Sequence, residues 1–217
     1  MKKRNVIGLA VIFLFVFVSY LMAERAVKVY EVKKDGGLAL KESQAKKKIN
    51  DQEAMIDDFE DDEPRNYFDG ESGSWNLTPD EPEVSVTNEV VDKLGVNGSK
   101  ALKLTYDIDS PEVAKVGYWT RLHEFNARNY DHLSFDVRGD KEAGFTNVFL
   151  LELKKYKNVQ RIDKIKGTYV VQNVTDQWQT ITIPLNMFTG LFDQTNPKVW
   201  EKPLTALEKL DELVINF

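Results

Sequence analysis

Four stretches decide the fold: YDHLSFDVRGD (Tyr130–Asp140), NVFLLELKK (Asn147–Lys155), WQTITIPLNMF (Trp178–Phe188) and LDELVINF (Leu210–Phe217). In each, apolar side chains fall at every second position: Leu133, Phe135 and Val137; Phe149, Leu151 and Leu153; Ile181, Ile183 and Leu185; Leu213, Ile215 and Phe217. A period of two puts alternate side chains on opposite faces of an extended chain, so these are half-buried strands. Ala101–Ile108 repeats the pattern with Leu102, Leu104, Tyr106 and Ile108. Turn signals separate the runs at Asn97-Gly98, Arg138-Gly139-Asp140, Lys166-Gly167 and Asn196-Pro197. Eight or nine short strands with one short helix candidate, Leu204–Leu210, predict an antiparallel β-sandwich.

With 217 residues, 42% of them hydrophobic, the chain has room for one domain of about 150 residues and a leader. The leader is MKKRN followed by an apolar run from Val6 to Ala23. As a helix this run would reach about 27 Å, enough to enter a bilayer with Lys2, Lys3 and Arg4 left on the cytoplasmic side. Residues 1–23 are therefore expected to be a signal peptide or membrane anchor, with the remainder exported. Residues 24–55 are Lys-rich and weakly patterned and are expected to be a spacer; residues 56–217 hold the sandwich. The chain has no cysteine, so no disulfide supports the exported domain. Its net charge of −6 disfavours nucleic acid and anionic lipid, which leaves the N-terminal run as the only membrane contact expected.

The order of these segments resembles the galactose-binding-like jelly-roll sandwiches, in particular the family 11 carbohydrate-binding modules and the related CIA30-like domains. The resemblance implies an all-β fold and a poly- or oligosaccharide ligand. It also implies that acidic residues of the opening strand help to hold a structural calcium, for which Asp58 and Glu60 of IDDFEDDE are the matching positions. The resembled modules continue past the point reached by LDELVINF, so a missing last strand and an unpaired sheet edge are expected.

Aromatic side chains exposed on a strand give a sugar its apolar stacking face, and neighbouring polar groups meet its hydroxyls. In GYWTRLHEF, Trp119, Arg121 and His123 share one parity against Tyr118, Thr120 and Leu122. Either this row faces outward and binds sugar, or the strand is turned over and Trp119 is buried. Glu152, Lys154 and Tyr156 stand opposite in parity to the apolar row of their strand and face outward, either lining the same groove or forming an ordinary charged outer face. Trp75, in GESGSWNLT, is placed at the rim of a cleft or as a cap on the sandwich. Trp178 resembles a packing residue and is expected against the core, although its parity differs from that of Ile181 and Ile183.

There is no thiol, and neither His123 nor His132 belongs to a zinc-binding pattern. The expected function is binding without catalysis. The alternatives are an envelope interaction or assembly protein built on the same sandwich, and an accessory domain of a longer carbohydrate-active enzyme.

Overall fold

The computed structural model describes residues 7–17, 30–32, 38–40, 53–110, 113–156, 164–188 and 207–217, with side chains from residue 53 onward apart from Lys164. Among the described residues thirteen strands follow one another: β1 (Ile7–Phe17), β2 (Tyr30–Val32), β3 (Leu38–Leu40), β4 (Glu53–Met55), β5 (Ser72–Asn76), β6 (Val84–Val91) and β7 (Ala101–Ile108), then β8 (Val116–Phe125), β9 (His132–Gly139), β10 (Phe149–Tyr156), β11 (Lys164–Val171), β12 (Gln179–Pro184) and β13 (Leu210–Asn216). One sheet runs β12-β9-β1-β7-β6, with β4 pairing the far end of β1; the other runs β11-β10-β13-β8-β5. All the pairs are antiparallel.

The period-two reading holds residue by residue. Leu104, Tyr106, Leu133, Phe135, Val137, Phe149, Leu151, Leu153, Ile183, Leu213 and Ile215 are buried together between the two sheets. Phe217 joins them: its ring stacks on Tyr106 at 4.0 Å and tilts against Phe149 at 5.9 Å, so the residue after β13 touches both layers. Burial pushes the Tyr106 phenol up to about 12, and its oxygen accepts the Thr146 amide at 3.2 Å.

Several local expectations need correction. The Lys166-Gly167 pair lies inside β11, with Gly167 opposite Leu153 on the core side, and makes no turn. Trp178 is half-buried outside the core and carries the Arg138 guanidinium 5.0 Å above its ring. The Leu204–Leu210 candidate is described only from residue 207, where Leu207–Lys209 forms a single 3-10 turn leading into β13. The Asn196-Pro197 turn and Trp200 lie outside the described residues.

β13 is paired on both sides, by β10 and β8, and is no sheet edge. Ile7–Phe17, the heart of the apolar run, has strand backbone and sits between β7 and β9. β7 pairs it from Ile7 to Val11, β9 from Leu9 to Phe15 and β4 from Phe15 to Phe17, so ladder hydrogen bonds reach most of its backbone, and its Val, Ile and Phe content suits a strand. Among the described residues no helix is long and apolar enough to cross a membrane. Part of the expected spacer is also ordered as strand: β2 pairs β3 from Tyr30↔Leu40 to Val32↔Leu38.

A loop before β5 braces β8. Asn66 is buried and uses its whole side chain: Nδ2 donates to Thr120 Oγ1 and to the Arg121 carbonyl, both at 2.7 Å, while Oδ1 accepts the Phe68 and Gly70 amides at 2.9 Å. Gly70 lies so close to β8 that a Cβ there would stand 2.1 Å from the Arg121 carbonyl oxygen.

Candidate functional site

The outward face of the β11-β10-β13-β8-β5 sheet is ordered by register. Three rows cross it: Trp75, Gly117, Asn216, Leu150 and Val170; Gly73, Trp119, Val214, Glu152 and Thr168; and Arg121, Glu212, Lys154 and Lys166. Paired residues share a face, so these side chains stand on one surface. Of these, Trp75, Asn216, Leu150, Trp119, Val214, Glu152, Glu212, Lys154 and Lys166 line a cleft of about 660 Å³, together with Leu77, Ala114, Lys115 and Phe217. That is the size of a small-ligand site.

Each tryptophan of the cleft lies across a glycine. The sequences Gly73-Ser74-Trp75 and Gly117-Tyr118-Trp119 are the same pattern on two antiparallel strands, and their register sets Gly73 against Trp119 and Trp75 against Gly117. The fit is tighter at Gly117, where a Cβ would come within 2.0 Å of the Ile215 carbonyl oxygen and 2.6 Å of Trp75 Nε1. At Gly73 it would meet the Trp119 indole at 3.4 Å, an ordinary contact. Trp119 is half-buried, and the Arg121 guanidinium lies 4.7 Å from its ring centre.

Beside the aromatic pair runs a chain of charges. Arg121 donates to Glu212 Oε1 at 2.5 Å, Lys154 lies 3.4 Å from Glu212 Oε2 and 3.3 Å from Glu152 Oε2, and Lys166 donates to Glu152 Oε1 at 2.6 Å. Tyr156 donates its hydroxyl to Glu212 Oε2 at 2.8 Å. Burial pushes the Tyr156 phenol up to about 12, helped by the Glu212 carboxylate beside it. Burial pushes the Glu152 carboxyl up as well, but Lys166 and Lys154 outweigh it and hold the group below its ordinary value. Trp75 Nε1, Asn216 Nδ2 and Thr168 Oγ1, all on this face, are buried polar atoms without a hydrogen-bond partner among the described residues.

Trp75, Trp119, Arg121, Glu152, Lys154 and Tyr156 are thus brought together, with Trp119 turned outward. His123 is not with them. The backbone is left-handed at His123 (φ 48°) and Glu124 (φ 58°), which breaks the alternation of β8, and the His123 ring meets the Asp69 carbonyl at 3.2 Å instead. Glu212, Lys166, Asn216 and Lys115 went unassigned in the sequence reading. Glu212 and Asn216 were within reach of it, since they alternate with Leu213 and Ile215; the doubled Gly-x-Trp pattern was a further signal.

Asp58 and Glu60 lie away from the cleft. Asp58 Oδ1 accepts the Tyr67 hydroxyl at 2.7 Å and the Glu60 amide at 3.2 Å, and Glu60 Oε1 accepts the Lys100 amide at 2.7 Å. Nearby Asp57 is raised to about 7 by burial, with Asp61 and Asp58 adding repulsion. Among the described residues no three Asp, Glu or His side chains converge as metal ligands.

The model of the carbohydrate binding domain of family 11 matches residues 46–215, well over half of the chain. The chain belongs to that family. The solved structures similar to it include the family 11 carbohydrate-binding module of the cellulosomal cellulase Lic26A-Cel5E of Clostridium thermocellum, with TM-score 0.50 and 16% identity over 67% of this chain and 77% of that one. Another is the family 11 module from Clostridium thermocellum in complex with a β-1,3-1,4-mixed-linked tetrasaccharide, with TM-score 0.51 and 17% identity over 67% of this chain and 78% of that one. At such identities the likeness concerns the sandwich alone. No curated protein sequence matches this family 11 domain.

Two outcomes test the geometry. Gly117→Ala is expected to lower the melting temperature by several degrees and to perturb tryptophan fluorescence, while Gly73→Ala leaves both nearly unchanged; equal effects would contradict the unequal packing. The second concerns acid. A carboxyl held below its unfolded value contributes stability that is complete above that value and is lost as pH falls through the folded one. Thermal stability is therefore expected to fall below about pH 4, under the ordinary glutamate range, and Glu152→Gln is expected to flatten that dependence while lowering stability at neutral pH.

Proposed function

We propose that this chain is an exported, non-catalytic domain that binds an oligo- or polysaccharide in the cleft of its five-stranded sheet. The observation that carries the reading is the pairing of Trp75 and Trp119 with Arg121, Glu152, Lys154 and Glu212 on one open face. A sugar ring needs an apolar plane and a rim of directional donors and acceptors, and this face supplies both. The family membership and the saccharide named with one structural neighbour support the same ligand class.

The state of the charges supports binding without turnover. Hydrolysis of a glycoside takes one carboxylic acid kept protonated beside a second carboxylate. Glu152 is held in the opposite state by Lys166 and Lys154, and Glu212 is engaged by Arg121, Lys154 and Tyr156.

About 80 Å² of stacked ring at about 25 cal/mol/Å² contributes about 2 kcal/mol, and each hydrogen bond adds about 1. After the cost of association the affinity falls between millimolar and micromolar. A glycan array probed with the full chain, followed by calorimetry, tests the reading. Trp119→Ala is expected to weaken binding about 30-fold at a cost of only about 1 kcal/mol in stability, because its ring is half-exposed. A stable variant with unchanged affinity would remove Trp119 from the site.

Export rests on the three basic residues and the apolar run that follow the first methionine. In a membrane that run would be helical, since only a helix satisfies its own backbone there. A reporter joined after Met55 is expected to be active outside the cytoplasm; activity confined to the cytoplasm would overturn this part of the proposal.

A further inference from the structure

The charges of the cleft do not balance. Arg121, Lys154 and Lys166 share two carboxylates, Glu212 and Glu152, and the chain of contacts begins and ends on a cation. These side chains are between 7% and 31% exposed, so the excess positive charge is partly withdrawn from water. Lys115, exposed at the opposite end of the cleft, adds another cation and has no ion pair among the described residues. Among the charged residues that line the cleft itself, Lys115, Lys154 and Lys166 face Glu152 and Glu212, an excess of one cation; Arg121, and Asp211 whose carboxylate accepts the Tyr156 amide at 2.5 Å, both stand outside that lining. A chain of net charge −6 thus carries a locally cationic cleft.

A partly desolvated cation with less than one counter-charge is costly, and an incoming anion relieves that cost where water does not. The site therefore favours a ligand that brings a negative group to the Lys154 and Lys166 end while a ring lies against Trp119. Among sugars the simplest such group is a carboxylate. The acidic remainder of the surface acts over about 8 Å at physiological salt and repels a densely charged polymer, so the fitting ligand carries its charge sparsely or is short.

We propose that the cleft selects acidic glycans, binding a uronate residue with its carboxylate on Lys154 and Lys166. This rests on the carbohydrate-binding reading above and narrows it. The test compares three probes on the full chain by calorimetry: a short oligogalacturonide, the same oligosaccharide fully methyl-esterified, and a neutral β-1,3-1,4-linked tetrasaccharide. The acid is expected to bind roughly tenfold tighter than its ester, with the advantage shrinking as salt is raised and largely lost in Lys166→Gln. A folded Lys166→Gln that keeps the full preference overturns the assignment of the lysine. Equal binding of acid and ester, or tighter binding of the neutral tetrasaccharide, overturns the acidic preference and leaves carbohydrate binding standing. If none of the three binds, the uronate proposal falls; silence of the glycan array as well removes the carbohydrate reading with it.

Discussion

The carboxylate of Glu212, only 5% exposed, receives Arg121 from β8 and both Lys154 and Tyr156 from β10. Those strands flank β13 on either side, so one side chain ties the polar half of the cleft together across three strands. A buried carboxylate with a single cation would gain little over an apolar pair; one that satisfies several donors at once fixes where those donors stand. The position of Arg121 over Trp119 depends on it in turn, because the guanidinium that anchors to Glu212 is the group that covers the indole. β13 serves both layers: Leu213 and Ile215 face the core, Glu212 and Asn216 face the cleft, and Phe217 closes against Tyr106 of the other sheet.

The strands were legible because burial on one face imposes a period of two, and no other local signal was needed for β7, β9, β10, β12 and β13. What failed was local backbone chemistry. Gly167 looks like a turn residue, yet glycine is equally compatible with the inside of a paired strand. His123 carries the parity of Trp119 and Arg121, but two consecutive left-handed residues end that parity before it reaches the ring. Trp178 sits one residue ahead of β12, where packing gave way to a cation over its face.

The cleft was half legible. Parity grouped Trp119 with Arg121 on β8 and Glu152 with Lys154 and Tyr156 on β10, but left open which way the β8 row faces. It did not tell which strands are neighbours, because sequence order and sheet order differ: β13 enters between β10 and β8 from the far end of the chain. Glu212 and Lys166 become site residues only once that order is known. Total charge was a poor guide to the cleft for a related reason, since −6 averages over a surface while the cleft draws on a few side chains gathered by register.

The seat of β1 has a consequence for timing. Its partners are Ala101–Ile108 and His132–Gly139, so the slot it fills does not exist until about 140 residues have been synthesised. At roughly 5–20 residues per second this leaves the apolar run without a sheet to enter for several seconds after it is made. During that interval the run is an available apolar segment for any membrane or export factor it meets. Afterwards the same residues are held by two neighbouring strands. A process that took the segment in that interval would leave Ala101–Ile108 and His132–Gly139 without their shared neighbour.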